Sequence, residues 1–276
     1  MGIFASITKT VAAVIMMSML ISLTPVSTVL ARDTGQEQAE SVSAQSKQRK
    51  KGKQRKAAVM SWVKLHHMFP STFIMNGPRS RKLVALTFDD VPDPRYTPAI
   101  LDILARHDVC ATFFVVGSRA AKYPAIIQRM SREGHIIGNH SYNHALYSKL
   151  PQEKFEYQIW RTNVIIRHLT GLSPRFIRPP YGEVLPSQVR WGMRNGYTII
   201  NWDVDSEDWR QGATSDRVLV NIDRTLQSGS IILQHGGGDE DLSGTVEALP
   251  RLISKLRKEG YELVTLPELL GKKAYR

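Results

Sequence analysis

A chain of 276 residues is long enough for one large domain with a buried core and for terminal extensions. Its formal net charge of +12 is unevenly spread, because seven basic residues and no acidic ones lie in the stretch from Lys47 to Lys56. The remaining excess is modest, and no motif of interleaved basic and aromatic residues is visible, which argues against a nucleic-acid-binding protein.

The N-terminus predicts export from the cell. Lys9 precedes an apolar run from Val11 to Leu23, and the end of the segment at Ala31 suits a signal peptidase. We therefore predict a signal peptide over residues 1–31 and a secreted or cell-wall-associated protein. The apolar run is short for a bilayer span, which usually needs about twenty residues. An uncleaved membrane anchor, with the domain facing outward, is the alternative.

Residues 32–80 are predicted to be a basic linker and an arm. The part up to Lys56 is rich in Gln, Ser, Glu and Lys, a composition that cannot bury enough surface to fold. Its stretch from Lys47 to Lys56 is expected to tether the protein to an anionic wall polymer or membrane surface. Residues 57–78 regain aromatic side chains and are expected to pack on the domain as an irregular arm. The domain itself is predicted over residues 81–276.

Apolar runs of strand length alternate with segments of helical period from residue 81 onward. The predicted strands lie at residues 83–88, 111–116, 135–138, 175–178, 197–202, 231–233 and 261–264. The predicted helices lie near residues 96–107, 119–133, 152–170, 186–195, 214–228 and 245–259. This order predicts an α/β fold whose mainly parallel sheet is covered by helices and is either open or closed into a barrel. The lone cysteine, Cys110, is expected to be buried beside Ala111.

Polar residues follow five of the predicted strands. They include Asp89, Asp90, Asn139, His140, Arg178, Asp203, Asp205, Asp208, Trp209 and His235. In parallel α/β folds the carboxyl ends of the strands meet at one rim, where the catalytic and ligand-binding residues lie. We therefore expect these clusters to converge on one site.

The adjacent carboxylates of Asp89 and Asp90 predict two different roles in one site. Successive strand residues point to opposite faces, so both acids enter one site only if the strand ends there, as Pro92 and Pro94 favour. One acid then binds a metal while its neighbour accepts a proton from water. The alternative is a solvated loop that carries two acids.

His140 and His144 are four residues apart, on one face of a helical turn or across a tight loop, within reach of one ion. A lone histidine is usually structural, but two at this spacing, with Asp90 at another strand end, predict metal ligands. Two imidazoles and one carboxylate leave positions open for water and substrate. The pattern therefore indicates a catalytic rather than a structural metal site.

Three further residues have roles that their neighbours suggest. Arg178 can orient a carboxylate such as Asp89 through paired hydrogen bonds, with a surface salt bridge as the alternative. His235 has a candidate partner in Asp208, and a carboxylate-paired histidine keeps its proton longer and serves as a general acid. Taken singly, His235 is instead a satisfied polar residue near the core. Trp209 offers a flat apolar ring face, to which sugars bind well.

Five motifs occur in an order that resembles the polysaccharide deacetylase family, the NodB-type carbohydrate esterases. They are Thr87-Phe88-Asp89-Asp90, His140-Ser141-x-x-His144, Arg178-Pro179-Pro180-Tyr181-Gly182, Asp205-x-x-Asp208-Trp209 and Leu233-x-His235. The resemblance covers about residues 81–270, and the five motifs in this order are highly specific. It implies a distorted (β/α) barrel and a catalytic domain that removes acetyl groups from N-acetylated sugars.

The resemblance also implies a division of roles between the first motifs. Asp90, His140 and His144 would hold a divalent ion, with zinc as the first choice and cobalt, nickel or manganese as alternatives. Asp89 would be the general base, with Arg178 near it.

The later motifs, by the same resemblance, supply the acid and the substrate contacts. His235 would be the general acid, tuned by Asp208. The implied substrate-binding residues are Pro180, Tyr181, Trp209 and Leu233. Trp209 and Leu233 would line the acetyl pocket, and the Tyr181 backbone N–H would stabilise the oxyanion.

Two departures from the family pattern are present. The family usually has glycine after the acid pair, where this chain has Val91, and a side chain there is expected to alter the loop or narrow the groove. The last motif is followed by Gly236, Gly237 and Gly238, where an acid is common, so this loop is expected to be mobile.

The N-terminal segments and the motifs together predict an exported, monomeric deacetylase without a nucleic-acid partner. Peptidoglycan, with N-acetylglucosamine or N-acetylmuramic acid as the target, is the first choice because a basic tether suits a wall with anionic polymers. Chitin-type oligosaccharide is the second choice. A catalytically silent wall-binding protein is the alternative from a different class, and the intact motifs argue against it.

Overall fold

The structure is a computed structural model that describes residues 59–276. The predicted signal peptide and the basic stretch from Lys47 to Lys56 lie outside the described residues. Within residues 59–276, no helix combines the length and the apolar character needed to cross a membrane.

Nine parallel strands form one sheet in the described part of the chain. They are β1 (Phe73–Ile74), β2 (Leu83–Val91), β3 (Thr112–Val115), β4 (Ile136–Asn139), β5 (Phe176–Ile177), β6 (Thr198–Ile200), β7 (Val204–Asp205), β8 (Ser230–His235) and β9 (Glu262–Leu263). Their order in space is β1-β6-β5-β4-β3-β2-β8-β7, and β9 pairs with the start of β2. Since β1 and β7 do not pair with each other among residues 59–276, the sheet is an open, curled half-barrel.

Helices connect most of the consecutive strands, as parallel pairing requires, whereas loops join β1 to β2 and β6 to β7. Within residues 59–276 the helices are α1 (Trp62–Met68), α2 (Tyr96–Arg106), α3 (Gly117–Lys122), α4 (Pro124–Arg132), α5 (Gln152–Thr170), α6 (Pro186–Arg194), α7 (Ser215–Thr225), α8 (Ser243–Lys258) and α9 (Leu266–Leu270), with 3-10 turns at Tyr147–Lys149 and Pro180–Gly182. The helix predicted near 119–133 is two helices, because Pro124 lacks an N–H to continue α3 and instead begins α4.

Alternation along the strands decides which side chains face the helices. On β2 the helix-facing side chains are Val84, Leu86 and Phe88, which pack in a large apolar cluster with α2, α7 and α8. Ala85 packs in a second cluster on the opposite face of the sheet, together with Ile231 of β8. Because side chains alternate, Asp89 shares the face of Ala85, and His235 shares that of Ile231. The strand pattern therefore directs both residues to the face opposite the large cluster.

The segment before residue 81 differs from the expected irregular arm. Strand β1 joins the edge of the sheet, where Phe73 pairs with Ile199 of β6. Phe73 is fully buried and packs in a cluster with Leu65 of α1 and Ile199. A two-residue strand is too short to show a period-2 pattern, and its partner lies far along the chain, so the sequence did not reveal it.

The position of Cys110 is also corrected by the structure. Its side chain is exposed rather than buried, because strand β3 begins only at Thr112 and Cys110 lies in the preceding loop. Its sulfur lies 3.8 Å from the backbone carbonyl of Glu133.

Candidate active site

Asp89 and Asp90 enter one site because strand β2 is irregular near its carboxyl end. The register of β2 against β3 shifts between Phe88 and Val91, and Asp90 has a left-handed backbone with φ of 63°. An irregularity of this kind breaks the alternation of side chains. Strand β2 ends at Val91, directly before Pro92 as predicted, but one residue later than the acid pair, so the turn of the backbone at Asp90 rather than the strand end brings both acids into the site.

Asp89 is only 3% exposed and is held by the fully buried Arg178. One guanidinium nitrogen of Arg178 donates hydrogen bonds to Asp89 Oδ1 and to the Thr87 hydroxyl, each with a donor–acceptor distance of 2.8 Å. The other nitrogens donate to the backbone carbonyls of Ile200 and Asn201. The single hydrogen bond to Asp89 differs from the expected pair, because backbone carbonyls take the remaining donors.

The surroundings of Asp89 suit a proton acceptor. Burial raises the pKa of the Asp89 carboxyl above its ordinary value, and the positive charge of Arg178 opposes that rise. A carboxylate with a raised pKa is a stronger base. Its Oδ2, which Arg178 does not engage, lies 3.7 Å from His140 Nε2.

Three potential metal-ligand side chains converge beside Asp89. Asp90 Oδ1 lies 3.6 Å from His140 Nε2 and 3.3 Å from His144 Nε2. We call Asp90, His140 and His144 the three-ligand cluster; the ligand atoms that they offer lie within 4.8 Å of one another. The two histidines lie in a loop, in which His144 and Ser141 have left-handed φ of 58° and 67°. The structure therefore brings together the three residues that were predicted as metal ligands.

The three-ligand cluster fits a divalent cation. Asp90 Oδ1 is buried and has no hydrogen-bond partner among the described residues, a lack that a cation would satisfy. The Arg178 carbonyl lies 2.8 Å from His140 Nδ1 and accepts its hydrogen, which leaves Nε2 free to act as a ligand. Burial lowers the pKa of His140 to about 3, so its imidazole is neutral, the form that binds metals. Two imidazoles and a carboxylate suit a divalent transition metal.

Polar side chains support the loop that carries the two histidines. Gln158 Oε1, on α5, accepts hydrogen bonds from the backbone N–H groups of Tyr142 and Asn143 over 2.8 and 3.2 Å. The side-chain oxygen of Asn139 accepts from the Ser141 N–H over 2.9 Å. No local pattern marked Gln158, because it lies on the following helix and meets the loop only in the folded chain.

Gln158→Leu is expected to weaken divalent-metal affinity by about 10- to 100-fold, the usual effect of removing support behind metal ligands. Two loop N–H groups would lose their acceptor, and the backbone at His144 would be less restrained. Titration of metal-free protein with zinc measures the affinity. Gln152→Leu, on the exposed first turn of the same helix, is the matched control. Equal affinities of the two variants would show that the loop keeps its shape without Gln158.

His235 lies on β8, beside β2, and has a buried carboxylate partner. Asp89 and His235 occupy paired positions in the two strands. Asp208 Oδ1 lies 2.8 Å from His235 Nδ1, and Asp208 Oδ2 accepts from the His235 N–H and the Thr245 hydroxyl. Burial lowers the pKa of His235, but the Asp208 carboxylate outweighs burial and raises it to about 9. The imidazole is therefore protonated near neutral pH, with its Nε2–H free to donate.

The predicted substrate-binding residues differ in exposure. Tyr181 has a left-handed φ of 60°, and its exposed ring lies 4.8 Å from the ring of His144, measured between centroids. Pro180 is buried in the same 3-10 turn. Leu233 is buried on β8, on the same face as the histidine of that strand, and Trp209 is exposed. Their contacts with substrate stay a prediction.

Val91 does not point into the groove. Its side chain is fully buried in the large helix-facing cluster. A Cβ atom on Gly236 would lie 2.6 Å from Val91 Cγ1, and one on Gly237 would lie within 2.4 Å of the Asp90 carbonyl oxygen, so both positions require glycine. The Gly236 N–H also donates to the Asp89 carbonyl over 2.9 Å. The first two glycines of this loop are therefore closely packed.

A buried carboxylate, a cluster that fits a cation and a carboxylate-paired histidine, all at one rim of a parallel sheet, are typical of the active site of a hydrolase. The family model for polysaccharide deacetylase matches residues 76–200. A peptidoglycan-N-acetylglucosamine deacetylase from Bacillus cereus is 41% identical over 209 residues, which cover 76% of this chain and 76% of the relative. This chain belongs to the polysaccharide deacetylase family, and it is a hydrolase that acts on amide bonds.

Two further comparisons agree with this assignment. A chitooligosaccharide deacetylase from Bradyrhizobium is 35% identical over 206 residues, which cover 71% of this chain and 92% of the relative. The crystal structure of the Bc1960 peptidoglycan N-acetylglucosamine deacetylase matches with a TM-score of 0.72 and 42% identity, over 74% of this chain and 94% of that one. The predicted family and the distorted (β/α) barrel fold are therefore confirmed.

Proposed function

We propose that this protein hydrolyses the acetamide groups of N-acetylated sugars in a cell-wall glycan, with peptidoglycan as the substrate. The observation that carries the proposal is the position of Asp89 beside the three-ligand cluster, with the protonated His235 on the neighbouring strand. This arrangement offers a base, a cation site and an acid to one carbonyl group.

Three groups of the chain take part in the proposed reaction: a base, an oxyanion donor and an acid. Asp89 Oδ2 accepts a proton from the attacking water as the water oxygen bonds to the acetamide carbon. The Tyr181 backbone N–H donates to the oxygen that gains negative charge. His235 Nε2–H then protonates the sugar nitrogen as the C–N bond breaks, which gives acetate and a free amino sugar. Asp90, His140 and His144 would hold a divalent cation, for which we propose zinc, and when bound it would supply Lewis-acid polarisation of the carbonyl and a lower pKa for water.

Two observations support peptidoglycan over chitin-type oligosaccharide. The relative named for peptidoglycan is 41% identical to this chain, whereas the relative named for chitooligosaccharide is 35% identical. The basic stretch from Lys47 to Lys56 suits a bacterial wall in which glycans are accompanied by anionic polymers.

Acetate release from peptidoglycan and from chitin oligomers, assayed in parallel with the full chain, tests the proposal. We expect a higher kcat/KM on peptidoglycan, loss of activity on both substrates after chelation, and recovery with added zinc. A higher kcat/KM on chitin oligomers would reassign the substrate. Absence of acetate from either would support the catalytically silent alternative.

We also propose that the protein is exported and that the stretch from Lys47 to Lys56 binds an anionic wall polymer or membrane surface. Such binding weakens with added salt, because exposed charges are screened beyond about 8 Å at physiological ionic strength. Deletion of this stretch is expected to reduce retention on isolated walls without slowing hydrolysis of a soluble oligosaccharide; equal loss of both would contradict the proposal. N-terminal sequencing of exported protein reports whether residues 1–31 have been removed.

A further inference from the structure

Four aromatic rings line a groove formed by α5, α6 and the residue that precedes β6. We call Tyr157, Trp160, Trp191 and Tyr197 the aromatic groove. Its volume of about 420 Å³ falls within the range of ligand-binding sites. None of the residues that line it has a role in the proposed reaction, so the groove and the proposed active site share no residue.

Two rings of the groove are exposed on a helix face where polar side chains are the norm. Trp160 is 59% exposed and Tyr157 is 45% exposed. Trp160 follows Tyr157 by three residues on α5, and Val164, which is 47% exposed, follows Tyr157 by seven. The three side chains therefore form one apolar stripe on the helix. A solvent-facing apolar patch bordered by polar residues is typical of a binding surface.

The other two rings are held in place by their neighbours. Trp191 and Tyr197 stack with ring centroids 5.5 Å apart and planes inclined by 15°. Asn163 donates to the Tyr197 hydroxyl over 3.1 Å. The Arg276 guanidinium lies 4.6 Å from the Tyr197 ring centroid and donates to the Asn195 carbonyl over 2.8 Å. These contacts hold part of the groove in place before a ligand binds, which lowers the entropic cost of binding.

The chemistry of the groove fits a sugar chain. Sugar rings have apolar C–H faces that pack on aromatic faces, and hydroxyl and acetamide groups at their edges that need hydrogen-bond partners. Glu156 supplies an acceptor beside the rings, and Arg276 supplies donors. The groove is lined by one acid, Glu156, and one base, Arg276, so it lacks the excess of positive charge that an anionic lipid surface or a nucleic acid requires.

We infer that the aromatic groove binds a stretch of glycan polymer outside the active site. This inference rests on the proposed function, since the occupant is the class of N-acetylated glycan that the active site hydrolyses. A second contact with the same glycan chain raises the effective concentration of substrate at the active site. The groove therefore favours long glycan strands over short ones.

Nuclear magnetic resonance of the full chain tests whether the groove is occupied. The probe is a hexamer of N-acetylglucosamine, added to Asp89→Asn protein to limit turnover. The chain has five tryptophans, and the indole N–H signal of Trp160 is assigned by its absence in Trp160→Phe. We expect this signal to shift saturably with the hexamer. A Trp160 signal that stays unshifted while that of Trp209 moves would overturn the inference.

Binding to insoluble peptidoglycan at high salt, where the basic stretch is screened, provides the second measurement. Trp160→Ala is expected to bind about tenfold more weakly than the parent, because a lost aromatic contact of about 1.4 kcal/mol corresponds to that factor. Val63→Ala, at an exposed apolar position on α1, is the matched control and is expected to bind like the parent. Equal binding by the two variants would contradict the inference. Sedimentation provides a further check. If the parent protein sediments as a dimer and the Trp160→Ala variant as a monomer, the groove is an interface between copies of the chain, and the inference is contradicted.

Acetate release by the wild type distinguishes the two proposals. If the hexamer shifts the Trp160 signal but the wild type releases no acetate, the proposed function is wrong and the groove assignment stands. If the wild type releases acetate and the Trp160 signal does not respond, only the groove assignment is wrong.

Discussion

Asp89→Asn is expected to retain divalent metal while releasing acetate about 10²- to 10⁴-fold more slowly than the wild type. Asparagine keeps the size of the side chain and one oxygen but lacks a basic carboxylate, so the proton of the attacking water loses its acceptor. The metal-ligand atoms belong to the three-ligand cluster, which this change leaves intact. Metal content and acetate release are measured on the same purified samples.

The same change leaves the fully buried Arg178 without its carboxylate partner. Removing one partner of a buried ion pair typically lowers the free energy of unfolding by about 3–5 kcal/mol. The Thr87 hydroxyl and the backbone carbonyls of Ile200 and Asn201 still accept hydrogen bonds from the guanidinium. We therefore expect a less stable but folded protein, and circular dichroism during thermal unfolding separates this outcome from simple misfolding.

His140→Ala and His144→Ala are the matched variants, because each removes a ligand atom rather than the base. Both are expected to lose metal. Chelation of the wild type should imitate them, with activity restored by added zinc, whereas added zinc should not restore Asp89→Asn. If Asp89→Asn loses metal as readily as the histidine variants, or if wild-type activity survives thorough chelation, the assigned roles are wrong.

Asp208→Asn is expected to lower the pKa of His235 from about 9 toward or below the ordinary histidine value of 6.5. Burial lowers the pKa of this imidazole, and the Asp208 carboxylate is the main group that raises it. Without the negative charge of Asp208, burial therefore favours the neutral form of His235. Asparagine keeps an oxygen that accepts hydrogen bonds, which limits structural change. Proton resonance titration of His235 in metal-free protein measures the shift, and Asp216→Asn, at an exposed position on α7, is the control for net charge.

The sign of the pH dependence follows from the raised pKa. The folded protein binds the His235 proton more tightly than the unfolded chain, so the resulting stabilisation is fully present below pH 6.5 and is lost as the pH rises through about 9. Activity that depends on this acid also falls as the proton leaves. The alkaline limb of the activity profile should therefore lie at lower pH in Asp208→Asn. Identical His235 titrations in Asp208→Asn and the wild type would contradict the pairing.

The sequence by itself determined the longer helices and strands from residue 81 onward and the family of this protein. Repeating apolar patterns predicted seven strands and the helices between them, because burial of a strand or helix face imposes a period on neighbouring residues. The same patterns placed Asp89 and His235 at the carboxyl ends of strands that prove to be neighbours in the sheet. The order of the motifs predicted the family, which the relatives confirm.

Only the tertiary structure decided which distant residues meet. The donors of Arg178 are shared between Asp89 and backbone carbonyls, Gln158 supports the histidine loop from another element, and Val91 packs beneath Gly236. The aromatic groove likewise joins two helices with residues beyond them. Hydrogen bonds and close approaches depend on distances of tenths of an ångström between elements. Periodic patterns reflect burial along one element, and they carry no information about where a second element will lie against it.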